Sequence, residues 1–566
     1  MRKRIIALGL SFIMMMSMAG CGLTDDSSSQ RERRTEKAFT EATTEKEADV
    51  STATDVDAAN DKDDTAEENN KDKKDKKDTA TVPNTFEGTP IVYSIDRTDY
   101  INDDDNVQLY STSYDKLQLM EGTEDQFPGI KKALDEFNKG TKTYGDWSYD
   151  DIMESAKEQK ANSEYFNAYY DNMHSEITRL DDKVISILGS FENYYGGAHG
   201  YYANVGYVYD SQTGKELSIL DVVSSKEELK SAVHEIFSRD YAQLIEAEPG
   251  CEEMIDESID NTENLCWSMG PTSLDIYFNP YEIASYASGM QTIQLRYADF
   301  TNLFNKGYGE VEDDWVRQTS SIMEDIDGDG SLDYANIEEN MEYEEKYSYS
   351  YITGFTIDAG SGNKAVEYCC NESTPYFIKK DGRYYIYVQV AGDSDSSSLL
   401  MYEITNGEIK ELGEEYIRFS APDNYYDYGE GYFESSSARF YNPESFYTAR
   451  RMDLISTVTG IKPATIGEDG KVQFLQDYYS LSNFIITSKE ELTFDEVDED
   501  GNVIGEITVP SGTEYICYRT DDETYTDCKL SDGRIVRLNI EISENYEHTV
   551  NGKTLMSIFD GIIFAS

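Results

Sequence analysis

Residues 194–223 constrain the fold of this chain more than any other stretch, and they read YYGGAHGYYANVGYVYDSQTGKELSILDVV. The second half predicts a β-hairpin, because an Asp-Ser-Gln-Thr-Gly turn at 210–214 follows aromatic and apolar residues at alternate positions, namely Val205, Tyr207 and Tyr209. In the first half, Gly196 and Gly197 precede His199. Glycine weakens a strand, so we expect a bulge or a close backbone approach just before the hairpin.

Two motifs in this part of the chain resemble a known family. GGAHG at 196–200, followed by an aromatic strand and a TGKE turn, resembles the extracytoplasmic domain shared by RsiV, the lysozyme-sensing anti-sigma factor, and PdaC-type peptidoglycan deacetylases. Residues 277–289 are similar to the closing F-x-x-Y-E-I-A-x-Y-x-x-G signature of that domain. The resemblance covers about residues 86–306 and implies a ligand-binding domain outside the cytoplasm.

The local patterns around these motifs predict an α+β domain over residues 89–306. Pro128 opens one helix, a second is expected over about 149–174, and a capping box at 225–228 starts a third. Strands are expected at 183–191 and in three later segments, 205–209, 274–278 and 292–297.

Catalysis is weakly supported by the motifs of the chain. Its four histidines, His174, His199, His234 and His548, include no pair with the spacing of a zinc site such as H-E-x-x-H. The H-x-x-x-H pair that the deacetylase module needs is absent, and no G-x-S-x-G motif accompanies His199. We therefore assign no catalytic residue. A ligand-binding surface is predicted instead at Tyr194, Tyr195, His199, Tyr201 and Tyr202.

Charge limits the classes of partner. The 566 residues include 49 Lys and Arg against 111 Asp and Glu, which gives a net charge of −62. Binding to nucleic acid needs a basic surface that meets the phosphates, so nucleic acid is excluded as a partner. The same charge favours encounter with cationic partners.

The N-terminus predicts export and a lipid anchor. Basic residues 2–4 precede an apolar segment, 5–18, that is short for a membrane span. Met-Ala-Gly-Cys at 18–21 resembles a bacterial lipobox, which implies a signal peptide at 1–20 and acylation of Cys21 at the outer face of the cell membrane. The alternative is an ordinary signal peptide that contains a cysteine. Residues 21–88 lack apolar periodicity and are expected to form a disordered tether.

An acidic loop at 325–333 reads DIDGDGSLD and predicts a calcium site. Ca²⁺ takes six to eight oxygen ligands, and the expected ligands are Asp325, Asp327, Asp329, Ser331 and Asp333. The loop resembles those of propeller and VCBS-type repeats. An EF-hand is disfavoured because Asn336 stands where its closing Glu would be, and an acidic turn without metal is the alternative.

The rest of the chain predicts β-structure. Residues 310–485 read as a β-rich domain, either propeller-like or a sandwich, and 490–566 read as a small SH3-like barrel. Cys517 and Cys528 are symmetric about a turn and are expected to lie opposite each other, close enough for a disulfide. Cys251 and Cys266 are a second candidate pair, and all thiols stay free if the host lives without oxidants.

Three hypotheses about function follow. The first is a binding module for an extracellular protein such as lysozyme, or for cell-wall glycan. The second is a hydrolase of the wall that uses His199 and nearby carboxylates. The third is a structural or signalling accessory without a ligand of its own.

Overall fold

The computed structural model describes residues 88–140, 149–163, 165–344, 349–360, 362–392, 396–405, 407–423 and 425–565. The predicted signal peptide, Cys21 and the tether up to residue 87 lie outside the described residues. No helix among the described residues is both long enough and apolar enough to cross a membrane.

The first part of the described chain combines strands with helices. Its strands are β1 (Val92–Asn102), β2 (Gln108–Leu119), β3 (Tyr169–Leu180), β4 (Val184–Tyr194), β5 (Tyr201–Asp210), β6 (Cys266–Met269), β7 (Ser273–Phe278) and β8 (Gln291–Arg296). Its helices are α1 (Pro128–Gly140), α2 (Tyr149–Asn162), α3 (Ile219–Val222), α4 (Lys226–Asp240), α5 (Ala242–Ala247) and α6 (Cys251–Asp260), and a 3₁₀ turn spans Tyr286–Ser288.

The capping box sets the start of α4 as the sequence predicts. The Ser225 side chain accepts a hydrogen bond from the Glu228 backbone N–H at 3.1 Å. The helix expected over 149–174 is wrong in its second half, because α2 ends at Asn162 and β3 begins at Tyr169. Buried and partly exposed residues alternate along β3, and this period of two is the signature of a strand with one covered face.

The remaining chain is almost entirely β. Its strands up to residue 474 are β9 (Trp315–Gln318), β10 (Ser321–Glu324), β11 (Asp333–Glu344), β12 (Tyr349–Ala359), β13 (Gly362–Cys370), β14 (Glu372–Lys380), β15 (Arg383–Ala391), β16 (Ser397–Thr405), β17 (Glu408–Glu415), β18 (Arg418–Ser420), β19 (Tyr426–Gly429), β20 (Tyr432–Ala438), β21 (Phe446–Met452), β22 (Val458–Ile466) and β23 (Val472–Phe474). The last elements are β24 (Tyr479–Ser488), β25 (Leu492–Val497), β26 (Val503–Val509), β27 (Glu514–Thr520), β28 (Tyr525–Lys529), β29 (Ile535–Asn539), β30 (Glu541–Ile542), β31 (His548–Val550), β32 (Lys553–Thr554), α7 (Leu555–Ile558) and β33 (Phe559–Asp560).

A seven-stranded sheet in the order β19-β20-β1-β2-β3-β4-β5 forms the base of the first part. The β2–β3 pair is parallel and the other pairs are antiparallel. Helix α1 packs on one face, where the rings of Phe137 and Tyr207 meet edge to face at 5.2 Å. The small sheet β6-β7-β8 contacts the opposite face and shares a buried core with α4 and α6.

The β19–β20 hairpin joins this sheet from a distant part of the chain. Strand β20 pairs with β1 from Tyr93↔Ala438 to Asp99↔Tyr432. The sheet therefore combines strands from the segment before residue 310 with two strands from the segment after it, where the sequence predicts a separate β-rich domain.

The other sheets are four-stranded (β10 to β13), five-stranded (β17-β16-β15-β14-β9) and eleven-stranded, with a short β30-β31-β32 sheet. Side chains of the four- and five-stranded sheets share one buried cluster, which favours the sandwich alternative over the propeller. No sheet of the described residues closes into a barrel. The SH3-like barrel expected at 490–566 is thus not confirmed, since β25 to β29 belong to the eleven-stranded sheet that also contains β21, β22 and β24.

Candidate ligand-binding site

A buried amide joins the two motifs. Asn279, 2% exposed, accepts a hydrogen bond from the Asn204 backbone N–H at 2.6 Å through Oδ1. Its Nδ2 donates to the Asn204 carbonyl at 3.2 Å. Because Asn204 lies in β5 and Asn279 follows β7, this pair of hydrogen bonds fixes the second motif against the sheet that carries the first.

The segment after Asn279 forms a tight turn. The Glu282 carboxylate accepts a hydrogen bond from the Asn279 backbone N–H at 2.9 Å, and Tyr281 adopts a φ of +72°. Burial raises the pKa of Glu282 from its usual 4.5 to about 7, against the lowering effect of that hydrogen bond. The turn carries the chain toward Tyr286, which lies in the 3₁₀ turn.

Tyr286 is the centre of a partly exposed aromatic cluster, in which His199 is exposed and the tyrosines are half-buried. Its ring stacks on His199 with centroids 4.1 Å apart and planes at 22°, and its hydroxyl donates to the Gly200 carbonyl at 3.0 Å. Tyr202 and Tyr281 each contact the Tyr286 ring with centroids 5.6 Å away. The Nδ1 atom of His199 lies 2.8 Å from the Gly200 carbonyl, so that nitrogen carries the hydrogen of a backbone hydrogen bond. The stack joins the two sequence motifs on one surface.

The other predicted tyrosines divide between surface and interior. Tyr194 stacks on Tyr170 at 6.1 Å and 27°, and its hydroxyl donates to the Gly197 carbonyl at 3.2 Å. Gly197 has a φ of +94°, a conformation that favours glycine. Burial, together with the nearby Glu282 carboxylate, raises the pKa of half-buried Tyr201.

Tyr195 is held by a buried carboxylate. Its hydroxyl donates to Asp171 Oδ1 at 2.5 Å, and Tyr110 donates to Asp171 Oδ2 at 2.5 Å. Asp171 is 1% exposed, and this burial raises its pKa while the two donors lower it. Tyr195 thus anchors the Gly-rich loop. The structure brings Tyr194, His199 and Tyr202 to the accessible surface and places Tyr195 partly beneath it.

Sequence reasoning missed Tyr170, Tyr281 and Tyr286 as members of the surface. A signal for two of them was present, because Tyr281 and Tyr286 occupy the tyrosine positions of the second motif. Tyr170 carried no such signal, since its place in β3 was assigned to a helix.

The acidic loop between β10 and β11 brings together three of its five predicted ligands. Carboxylate oxygens of Asp325, Asp327 and Asp333 all lie within 4.8 Å of one another. The Asp325 Oδ1 atom is buried without a hydrogen-bond partner, and Asp333 Oδ2 accepts from the Ile326 backbone N–H at 3.0 Å. Three clustered carboxylates, one of which has a buried oxygen without a hydrogen-bond partner, fit a hard divalent cation.

The two other predicted ligands have a different role in this geometry. Asp329 is not among the three clustered carboxylates, and its Oδ1 accepts a hydrogen bond from the Ser331 backbone N–H at 2.7 Å. The predicted role of the Ser331 backbone carbonyl as a ligand stays a prediction. Gly328 and Gly330 have φ values of +78° and +87°, which the tight turn requires.

Comparison with known proteins gives a family match for part of the chain. Residues 220–298 match DUF3298, a family described as protein of unknown function. The matched segment contains Asn279 and Tyr286 and ends after β8. Among curated proteins, none matches the chain.

Two solved DUF3298 structures are similar to this chain. A DUF3298 family member from Bacteroides fragilis NCTC 9343 is 17% identical over 39% of this chain and 98% of its own, with a TM-score of 0.30. A DUF3298 family protein from Pseudomonas aeruginosa PAO1 is 15% identical over 35% of this chain and 86% of its own, with a TM-score of 0.22.

Proposed function

We propose that the protein is a lipid-anchored binding module of the cell envelope, and that it captures an extracellular ligand on the surface of Tyr194, His199, Tyr202, Tyr281 and Tyr286. The observation that carries this proposal is the stack of His199 on Tyr286, which joins both sequence motifs in one accessible aromatic surface. Tyrosine provides a large contact area at low entropic cost and keeps a polar tip, so it is frequent in binding hot spots.

The ligand is an extracellular protein of the basic lysozyme type or a glycan of the wall. A net charge of −62 accelerates encounter with a basic protein and makes the association rate sensitive to salt. The RsiV/PdaC resemblance supports the same choice of ligands, and Cys21 with the tether would hold the domain outside the membrane.

A wall hydrolase is less well supported. His199 Nδ1 is engaged by the Gly200 carbonyl, and the ring is stacked against Tyr286. Within the described residues no carboxylate, Ser or Cys forms a hydrogen bond with that ring, whereas a general base needs an orienting group and a nucleophile within reach. An accessory without a ligand would leave the aromatic surface without a role.

Surface plasmon resonance on the mature chain with Cys21→Ser tests the proposal. The chain is passed over immobilised lysozyme at low and physiological salt, and a pulldown with wall fragments is run in parallel. Tyr286→Ala and Tyr202→Ala should each weaken binding about tenfold, mainly through faster dissociation. Tyr546→Ala is the matched control, because this tyrosine is 86% exposed in the connection between β30 and β31, which belong to another sheet. Equal binding to any basic protein of similar charge, unchanged by Tyr286→Ala, would refute the proposal.

We further propose that the loop of Asp325, Asp327 and Asp333 binds Ca²⁺, because the buried Asp325 Oδ1 has no hydrogen-bond partner. A ligand of the native state at a hundred times its Kd stabilises that state by about 2.7 kcal/mol. Ca²⁺ should therefore raise the melting temperature of the β10–β17 region, and Asp325→Asn should remove the response. Asp329→Asn is the matched control and should retain most of it. Superimposable melting curves with Ca²⁺ and with chelator would leave the loop as an acidic turn.

A further inference from the structure

Residues that are cross-strand partners form one continuous row across all seven strands of the sheet that runs from β19 to β5. Its successive partners are Tyr428, Phe433, Thr98, Ser113, Asn172, Glu192 and Tyr202. Residues paired in register lie on the same face of a sheet, and six intervals of about 4.8 Å make the row about 29 Å long. Every member is exposed or half-buried.

The row forms a trough with aromatic ends and a low centre. At one end Tyr428, 79% exposed, contacts Phe433 with ring centroids 4.8 Å apart, and at the other Tyr202 meets Tyr286. Between them Thr98 and Ser113 are small, and their hydroxyls are hydrogen-bonded to each other at 2.8 Å. The centre therefore lies below the two aromatic ends.

A wall limits the trough on one side. Further along the same face, strand β6 crosses β5 so closely that a Cβ on Gly206 would lie 1.7 Å from the Trp267 carbonyl oxygen. Between Tyr202 and Gly206 in the sequence, the Asn204 backbone is hydrogen-bonded to the Asn279 side chain. The next row on the open side adds Tyr100, Ser111, Tyr170 and Tyr194. A ligand in the trough would thus run across the strands, parallel to this wall.

The groups in the row define the chemistry of the occupant. The backbone groups of its inner strands are already paired within the sheet, so a peptide cannot bind there as an added strand. The row presents aromatic rings at both ends and two hydroxyls, an amide and a carboxylate between them. Sugar rings have matching features, with an apolar C–H face for stacking and hydroxyls for hydrogen bonds.

The charges along the row indicate which kind of glycan fits. The row contains no Lys or Arg, which disfavours a polyanion. Glu192 is exposed and forms no salt bridge with a residue that the structure describes. A carboxylate in this setting complements an amine. We propose that the trough binds a linear glycan that carries free amino groups, an inference that rests on the proposed binding function and assigns its ligand class.

Isothermal titration calorimetry on the mature chain tests this assignment with three probes: a β-1,4-linked glucosamine hexamer, its fully N-acetylated form and a neutral glucose hexamer. The glucosamine hexamer should bind most tightly. Glu192→Gln should remove that preference and leave the N-acetylated form unaffected. Ser113→Trp fills the low centre and should weaken binding of both amino-sugar probes about tenfold or more. Tyr428→Ala, an exposed truncation that leaves the fold intact, should weaken both by about tenfold, and Tyr546→Ala should change nothing.

The outcomes separate this inference from the proposed function. If no hexamer binds while lysozyme binds and depends on Tyr286, the binding function stands and the glycan assignment is overturned. The assignment is also overturned if glycan binding is lost in Tyr286→Ala but survives in Tyr428→Ala and Ser113→Trp. Loss of protein binding in Tyr428→Ala, without any glycan binding, would make the trough a protein-docking surface and would overturn the assignment too. If neither class of ligand binds, the proposed function itself fails.

Discussion

Removing the charge of Arg439 should loosen the seven-stranded sheet, because this residue ties the distant hairpin to the sheet interior. Arg439 follows β20 directly, and its Nη2 lies 2.6 Å from Asp115 Oδ2 and 3.5 Å from Asp96 Oδ1. The side chains of Arg439 and Asp115 are 8% and 2% exposed. Asp115 also accepts hydrogen bonds from the backbone N–H and the hydroxyl of Ser175, at 2.8 and 2.7 Å.

The size of the effect follows from burial. Arg439→Met keeps most of the apolar stem and leaves the buried Asp115 carboxylate with the Ser175 donors and the His174 ring, whose Nδ1 lies 3.4 Å from Asp115 Oδ2. Removing one partner of a buried ion pair costs about 3–5 kcal/mol, whereas an exposed pair is worth about 0–1 kcal/mol. The Arg439→Met, Asp115→Asn double variant buries no unpaired charge. The double variant should therefore lose less free energy of unfolding than the two single variants lose together, by roughly 0.5–3 kcal/mol.

Hydrogen exchange is the suitable assay, because a chain of this size need not unfold in one step. In Arg439→Met the amides that pair β1 with β20 should lose protection, while those of β27 and β28 in the eleven-stranded sheet keep theirs. Arg534→Met is the control, since its partner Asp532 is half exposed. Unchanged protection in β1 and β20, or strictly additive losses in the double variant, would refute the reasoning.

Three further predictions concern other parts of the chain. Because the pKa of Glu282 is raised, the folded state keeps a proton that the unfolded state releases above about pH 4.5, and the contribution of this group to stability declines as pH rises toward 7. Glu282→Gln should therefore flatten the urea midpoint as a function of pH over this range. An unchanged slope would contradict the raised pKa of Glu282. Cys517 and Cys528 are cross-strand partners with sulfurs 2.9 Å apart. Mild oxidation should therefore join them in a disulfide and remove two titratable thiols, and Cys517→Ala should prevent that disulfide. A fragment of residues 86–306 lacks β20 and exposes the β1 edge, so it should self-associate in light scattering while the full chain stays dispersed.

The sequence predicted the parts of the site that depend on local patterns. Alternation and turn residues identify the hairpin of β5, and the loop at 325–333 was found from its alternate aspartates. The structure brings the two motifs together through the stack of His199 on Tyr286. Their direct contact depends on Asn279, a single polar residue that is hydrogen-bonded to the Asn204 backbone. No local sequence pattern predicts those hydrogen bonds.

Two differences between the sequence predictions and the structure have a common physical cause, which is pairing between distant segments. Strand β20 meets β1 across more than three hundred residues of sequence. The energy of that pairing comes from cross-strand contacts and the buried Arg439, and local propensity carries no information about either. The barrel expected at 490–566 is not confirmed for a similar reason, since strands β25 to β29 lie in one sheet with strands of the preceding segment. The helix extended to 174 was a different error, a missed period of two in β3.

The long-range pairing also decides what the family match can explain. The segment that matches DUF3298, residues 220–298, contributes Asn279, Tyr281 and Tyr286. His199 and Tyr202 come from the sheet before it, and Tyr428 and Phe433 come from a hairpin far beyond it. The matched segment alone therefore supplies the residues that contact one end of the trough and none of the seven residues of the row itself. Variants of Tyr428 and Phe433 therefore test the trough with residues that lie outside the matched segment.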